Sequence, residues 1–163
     1  MYRIAETHAT TQPSFSLPPA ERQTLRTICE TFLPTLAPEA GDDPDLFALS
    51  AERLNVAGAM ERSLTILDTV QQQQVFKLLH LLEQPFFIAL LIRKLEGFSW
   101  LAPADQERVL QALAVSKLEK LRMGFQAVKR LALFLSYSTT DARGVNPAWA
   151  SMGYEMQERS VHP

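Results

Sequence analysis

The longest uninterrupted helical pattern in this chain runs from residue 116 to residue 137, and it limits the possible folds more than any other feature. This stretch has no proline and a single glycine, Gly124. Its apolar residues recur at steps of three and four, which places them on one face of an α-helix. They are Leu118, Leu121, Phe125, Val128, Ala132 and Leu135. The pattern predicts a long central helix over about residues 116–139.

The second half of this helix is apolar on every side, because residues 131–135 and Tyr137 leave no polar face. Such an end must be covered by the rest of the fold or by another protein. An aromatic segment follows, and tryptophan and tyrosine are favoured interface anchors. The candidate interface residues are therefore Leu131, Leu133, Phe134, Tyr137, Trp149 and Tyr154. For the last two, packing against the chain's own core is the alternative.

The remainder of the chain is also predicted to be helical. Proline-led helix starts occur at residues 18–21 and 103–107, and Pro34 ends the first helix. Further helices are expected over residues 45–54, about 57–67 and 86–96, the last closed by Gly97. Between them, Asp68 is the expected N-cap of a helix whose apolar residues run from Val70 to Leu82, with four exposed glutamines in its first turns. No period-2 run or hairpin signal predicts a strand.

The fold class that follows is all-α: a single compact bundle of six or seven helices around the long central helix. One domain is expected over residues 17–154. Residues 1–16 are polar and are predicted to form a flexible tail, and residues 155–163 a second tail. The polar N-terminus has no apolar signal-peptide core, and the apolar run 85–92 is too short to cross a bilayer, so the expected location is the cytoplasm.

Charge argues against a nucleic-acid partner, since the formal net charge is −2. Residues 1–68 have a balance of −5 and residues 69–163 one of +3. A helix-turn-helix over residues 103–130 would lack a glycine-containing turn. The central helix nevertheless carries a basic stripe made of Lys117, Lys120, Arg122, Lys129 and Arg130. It is interpreted as a solvated face, with contact to anionic lipids as the secondary alternative.

Few residues in the sequence are candidates for catalysis or for ligand binding. Cys29 is the only cysteine, and its place in a helical apolar pattern favours a small buried core residue over a nucleophile. His80 lies among leucines, with Glu83 as the one carboxylate a helical turn away, which favours a core or boundary residue over a metal ligand. The glycines are scattered, and no dinucleotide loop, phosphate loop or nucleophile elbow occurs. No catalytic, cofactor-binding or metal-binding residue is therefore expected.

Four segments, in order, resemble one known family. They are residues 17–34 (LPPAERQTLRTICETFLP), 98–107 (FSWLAPADQE), 118–137 (LEKLRMGFQAVKRLALFLSY) and 146–154 (NPAWASMGY). They are similar to the opening, the connector, the long helix and the "N-P-x-W-x-x-[IM]-G-Y" ending of the gluconate 2-dehydrogenase subunit 3 family. The helical region that precedes the flavin domain of long-chain fatty alcohol oxidases is similar too. Two features depart from the family: Pro18 replaces a serine or threonine cap, and the twin-arginine export signal is missing.

The resemblance implies a non-catalytic accessory subunit. Its partner would be a large subunit of the glucose-methanol-choline type, which binds FAD and oxidises an alcohol or a sugar. The small subunit would support maturation, stability or activity of that partner and would bind no cofactor itself. The family pattern contains no catalytic residue to carry over to this chain.

Overall fold

The computed structural model describes residues 16–35, 37, 40–41, 50–138, 140, 144–146, 149 and 153. Within this part of the chain there are six α-helices, one short 3-10 helix and no strand. The α-helices are α1 (Pro19–Phe32), α2 (Val56–Leu64), α3 (Thr69–Leu82), α4 (Pro85–Ile92), α5 (Pro103–Ala114) and α6 (Glu119–Ser138). The 3-10 helix spans Phe98–Trp100. The all-α prediction is confirmed.

The core lies where α1 crosses the other helices. α1 contacts α2, α3, α5, α6 and the 3-10 helix. Leu25 and Cys29 on it have no exposed surface, and Ile28 has 2%. The same core takes in fully enclosed side chains from every other helix, among them Met60, Leu79, Ile88, Phe98, Val109 and Ala132. One continuous apolar cluster therefore joins all the elements, as a single bundle requires.

α6 is the longest helix, and it packs against α1, α2, α3 and α5. Phe125, Val128 and Ala132 on its predicted apolar face are buried, and Phe125 meets Phe32 of α1 edge to face at 5.8 Å. Leu118 was predicted on the same face but is 65% exposed. The reason is that α6 begins one residue later, at Glu119, so helical spacing does not govern the position of Leu118.

The start of α6 lies three residues inside the predicted bound of 116. Ser116 forms a turn outside the helix: its hydroxyl accepts from the Leu118 N–H at 3.2 Å. Arg122 of α6 then reaches back and donates to the Ser116 carbonyl at 2.8 Å. These two contacts stabilise a break between α5 and α6 that apolar periodicity does not reveal.

The helix predicted over residues 45–54 is not seen in the residues that are described there. Residues 51–55 form turns, and residues 45–49 lie outside the described part. Ser50 organises these turns, because its hydroxyl accepts from the Arg53 N–H and its carbonyl from the Leu54 N–H. Asn55 follows with a positive φ of 47°, which asparagine tolerates better than most residues, and α2 starts immediately after it.

Two helix ends differ from the prediction. α2 ends at Leu64 rather than at residue 67, because Gln72 of α3 donates its side-chain amide to the carbonyls of Leu64 and Leu67. Gln72 is thus half-buried, and the expectation that residues 71–74 are all exposed is wrong at this position. α4 ends at Ile92 rather than near residue 96, because Arg93 takes the left-handed conformation (φ 62°) that commonly terminates a helix.

The predicted caps are present where proline or aspartate marks them. Proline occupies the first turn of α1, α4 and α5. The Asp68 side chain accepts from the Gln71 N–H at 2.8 Å and caps α3. Between α3 and α4 the chain bends by 73°. Among the described residues, no single helix is both long and apolar enough to cross a membrane, and α3 and α4 meet that requirement only when taken together across the bend.

Candidate functional site

The end of α6 has a buried side and an exposed side. Ala132 and Ser136 face the core, Leu131 and Leu133 are half-buried, and Phe134 is 65% exposed. Tyr137, one turn further on, is 46% exposed. The rest of the fold therefore does not cover this helix end on every side. Of the two covers that the sequence allowed, the chain's own fold and another protein, the first is incomplete. Two large aromatic side chains remain available on the outer side.

Two described residues beyond α6, Asn146 and Trp149, contact the last turn of that helix. Asn146 is fully buried, and its side-chain amide donates to the Ser136 carbonyl at 2.6 Å. The half-buried Trp149 donates its indole N–H to the Tyr137 carbonyl at 3.0 Å. These contacts satisfy carbonyls that a helix end leaves without a helical partner. Trp149 thus packs on its own chain and lies beside Tyr137, whereas Tyr154 falls outside the described residues.

A second exposed apolar surface lies on α4. Its sequence, PFFIALLI, contains no polar residue. Ile88 and Ile92 are buried, while Phe86 and Leu90, one turn apart on the opposite side, are 84% and 82% exposed. Sequence reasoning predicted a helix here and judged its apolar run too short to cross a bilayer, but it missed the exposed surface. An eight-residue helix at the surface cannot bury all its sides, so its uniformly apolar composition was the available signal.

The 3-10 helix holds a fourth exposed aromatic side chain, that of Trp100, in a fixed direction. Phe98 is fully buried and Trp100 is 81% exposed. Between them, Ser99 donates its N–H and its hydroxyl to the two oxygens of Glu83, at 3.1 and 3.0 Å. The Thr24 hydroxyl of α1 donates to the same carboxylate at 2.7 Å. Glu83 therefore fixes the 3-10 helix against α1 and α3, and the position of Trp100 follows from that.

His80 has a structural environment. Its Nδ1 lies 2.9 Å from the Glu21 carboxylate of α1, and its Nε2 lies 3.2 Å from the Gln84 amide nitrogen. The ring also stacks on Phe76 at 5.9 Å. In this arrangement Nδ1 is placed to donate to Glu21, and Nε2 is placed to accept from the Gln84 amide. The side chain is 57% exposed, so His80 is a boundary residue that links α3 to α1.

Cys29 is enclosed between α1 and α2, with its Sγ 3.6 Å from the Met60 sulfur. Burial, together with the nearby charge of Glu30, raises the pKa of the Cys29 thiol to about 12. The thiolate is the nucleophilic form of cysteine. At neutral pH Cys29 is therefore an uncharged core residue, in line with its interpretation from the sequence.

An open groove of about 360 Å³ lies on the surface between α1 and α2. Its charged side chains are already paired. Arg22 binds both carboxylate oxygens of Glu61, at 2.9 Å each, and Arg26 lies 3.6 Å from Glu30. Hydrogen bonding to Arg22 is the main reason why the pKa of Glu61 is lowered. Among the described residues, no group of three or more histidine, cysteine, aspartate or glutamate side chains comes together as metal ligands would.

The basic residues of α6 form the last notable feature. Lys120, Arg122, Lys129 and Arg130 are exposed. Within the described part of the chain none of them forms a salt bridge, whereas Arg22, Arg26, Lys94 and Arg108 all do. The candidate functional site is therefore a surface: exposed aromatic and aliphatic side chains on α4, the 3-10 helix and α6, with unpaired positive charge along α6.

Comparisons with protein-family models, with curated proteins and with solved structures find no match to this chain.

Proposed function

We propose that this chain is the non-catalytic accessory subunit of an FAD-dependent alcohol or sugar oxidoreductase of the glucose-methanol-choline type. It would support the maturation, stability or activity of a large subunit, and that subunit would hold the FAD. The four-segment resemblance of residues 17–154 suggests the class of partner. A cytoplasmic location is part of the proposal, and fractionation of the native cells checks it.

The observation that carries an interaction role is the amount of apolar surface left in water. Phe86, Leu90 and Trp100 are each more than 80% exposed, and Phe134 is 65% exposed. Single exposed apolar residues are ordinary, but large aromatic side chains are the usual anchors of interfaces. Full burial of each side chain by a partner would contribute about 1.5–3 kcal/mol to the free energy of association. Covering several of them with a partner is therefore a substantial driving force for association.

The same structure supports a binding role over an enzymatic one. Glu21, Glu83 and His80, which lie where α1, α3 and the 3-10 helix meet, are all engaged in contacts that join these elements. Cys29 is buried and protonated. These side chains therefore stabilise the helical scaffold. The side chains that remain available to bind a partner are the exposed apolar ones.

The test is an affinity purification of the tagged chain from its native cells, with a visible absorption spectrum of the eluate and mass spectrometry of its components. We expect a yellow eluate with a flavin spectrum and one large co-purifying chain that belongs to the glucose-methanol-choline class. Release of the flavin with acid, followed by chromatography, identifies it as FAD.

A matched control bait carries Phe86→Ser, Trp100→Ser and Phe134→Ser together. These side chains are exposed, so the variant keeps the helical content of the wild type, which far-UV circular dichroism checks. We expect it to recover much less of the large chain. A colourless wild-type eluate that contains only the bait, from cells that express the large chain, would contradict the proposal.

A peripheral membrane module is the second candidate, and the exposed face of α4 is the observation that favours it. Phe86 and Leu90 form an apolar face, and Arg93 and Lys94 follow directly. Lys94, however, is paired with Asp105 at 3.5 Å, which removes part of the positive charge. Sedimentation with phosphatidylserine vesicles at low and at high salt tests this candidate, and absence of binding at low salt excludes it.

A further inference from the structure

One line of residues runs along the whole outer side of α6. Its members follow steps of three and four, and all are exposed: Lys120, Met123, Ala127, Arg130, Phe134 and Tyr137. We call this line the α6 stripe. Met123 is 61% exposed, Phe134 65% and Tyr137 46%. The stripe lies opposite the face of α6 that is buried in the core, so it is the part of the helix that another molecule can reach.

The spacing of the stripe suits a second helix. Strict alternation of three and four residues gives a narrow, nearly straight seam, which is the pattern by which two helices pack at a shallow angle. At 1.5 Å per residue the seam is about 25 Å long. Ala127, near its middle, is small and exposed, so a partner backbone can approach closely there.

The charge of the stripe selects an acidic partner. α6 contains four basic residues and one acidic residue, Glu119. Lys120 and Arg130 lie within the stripe, and Arg122 and Lys129 are exposed on the flank of α6 between the stripe and the buried face. None of the four has a salt-bridge partner among the described residues. A surface that combines an apolar seam with unpaired cations is complementary to an apolar seam flanked by carboxylates.

Two other occupants fit less well. A helix that lies in a membrane interface turns a broad apolar face to the lipid, but the broad apolar face of α6 is in the core and Arg130 interrupts the stripe. A second copy of α6 would bring two helices of the same net positive charge together, which is unfavourable. A helix from a different, acidic surface meets neither obstacle.

We propose that the α6 stripe is the docking site for an amphipathic helix of the large FAD-binding subunit, with aspartate and glutamate residues beside its apolar seam. This inference rests on the proposed function, since that function supplies the partner. The aromatic end of the stripe would provide most of the buried apolar area, and the basic residues would fix the position and direction of the docked helix.

The first experiment is zero-length carbodiimide cross-linking of the purified complex, because this reagent joins a lysine only to a carboxylate in direct contact with it. We expect links from Lys120 and Lys129 to acidic residues within one segment of the large chain. Lys120 and Lys129 are nine positions apart in the sequence. The linked carboxylates should therefore be separated by roughly 7–11 residues, as on a parallel or antiparallel helix.

Lys77 on α3 is the internal control, because it is exposed and belongs to a different face of the bundle. Links to the large chain from Lys77 but not from Lys120 or Lys129 would overturn the inference. So would links from Lys120 or Lys129 to Glu155 or Glu158 of the same chain, since the stripe would then be covered from within. Links between two copies of α6 would indicate self-association instead.

Variants complete the test. Arg130→Glu and Phe134→Ser change exposed positions of the stripe, and we expect each to reduce recovery of the large chain at least about tenfold. Val70→Ser and Lys77→Glu, both at exposed positions of α3, are the matched apolar and charged controls, and we expect the flavoprotein yield to remain within about twofold of the wild type. Circular dichroism confirms that all four variants fold.

The possible results separate the inference from the function on which it rests. If the wild type recovers the flavoprotein and the stripe variants recover it equally well, the docking site is elsewhere and only the inference fails. If the wild type recovers no large chain, the proposed function fails and the inference with it. If vesicles of phosphatidylserine bind the wild type and not Arg130→Glu, the stripe contacts a membrane and the inference is wrong.

Discussion

Glu83, directly after α3, and Ser99 in the 3-10 helix are joined by two hydrogen bonds, one from the Ser99 N–H at 3.1 Å and one from its hydroxyl at 3.0 Å. Thr24, which is fully buried on α1, donates to the same carboxylate at 2.7 Å. Three separate parts of the chain thus meet at one side chain. Phe98 is fully buried beside this junction, and Trp100 is held outward by it.

Loss of this carboxylate should destabilise the fold. In Glu83→Ala the Ser99 N–H and the Thr24 hydroxyl lose an acceptor in a partly buried place, which costs about 2 kcal/mol in the free energy of unfolding. Glu83→Gln keeps one oxygen and should lose about half as much. Urea unfolding followed by circular dichroism measures both. Glu96→Ala, an exposed change in the adjoining loop, is the control and should alter stability by less than about 0.5 kcal/mol.

Gly97 should not tolerate a side chain. A Cβ atom there would lie 2.5 Å from a carboxylate oxygen of Glu83 and 3.2 Å from its backbone carbonyl. Gly97→Ala therefore has to displace the Glu83 junction, and we expect a loss of about 1–3 kcal/mol in the free energy of unfolding.

Gly124→Ala is the matched substitution within α6. Its Cβ would meet only a Leu78 methyl group, at 3.2 Å, and alanine is favoured over glycine in a helix by about 1 kcal/mol. We expect a change close to zero or slightly stabilising. Equal losses for Gly97→Ala and Gly124→Ala in thermal unfolding would show that the Glu83 contact is not the cause.

Cys29 should be unreactive in the folded protein. The pKa of its thiol, about 12, leaves little thiolate at about pH 8, and the sulfur is enclosed beside Met60. A disulfide reagent that reports thiols by absorbance should react slowly with native protein and rapidly in urea. Met60→Ala opens space next to the sulfur and should speed the native reaction. A native rate equal to that of a free thiol would contradict this burial.

The repetitive parts of the fold follow from the sequence. Periodicity placed Phe125, Val128 and Ala132 in the core, and prolines or aspartate marked the starts of α1, α3, α4 and α5. These features are local, so a single chain segment contains all the information that is needed. The end of α6 was predicted to need a cover, and the structure leaves Phe134 exposed there.

The parts that sequence reasoning missed depend on side-chain contacts between one element and the next, which helical periodicity does not encode. Nothing near Leu64 indicates that Gln72 closes the end of α2, and nothing in the segment at residues 98–101 indicates that Glu83 orients Trp100. The interruption before α6 likewise depends on Arg122 reaching back to Ser116. Such contacts override local helix signals, which explains the early end of α2 and the late start of α6, whereas α4 ends early because Arg93 takes the left-handed conformation.

Acid should weaken the link between α1 and α2. Arg22 holds Glu61 by hydrogen bonds and charge, and this lowers the pKa of Glu61 in the folded state below its ordinary value of 4.5. A group with a lowered folded pKa contributes stability above the unfolded pKa, and that contribution is lost as the pH falls through the folded pKa. Wild type should therefore exceed Glu61→Gln by about 1 kcal/mol near neutral pH, and the difference should shrink below about pH 4.5.

Urea unfolding from about pH 7 to about pH 3 measures this difference. Glu30→Gln is the control, because the Arg26–Glu30 pair is more exposed and longer, at 3.6 Å, so its removal should change little at any pH. Arg22→Leu should lose at least as much stability as Glu61→Gln near neutral pH, since it breaks the same pair and also removes the hydrogen bonds from Arg22 to the Ser16 hydroxyl and the Leu17 carbonyl. A gap between wild type and Glu61→Gln that stays constant, or widens in acid, would mean that the ion pair does not set the pH dependence of this helix contact.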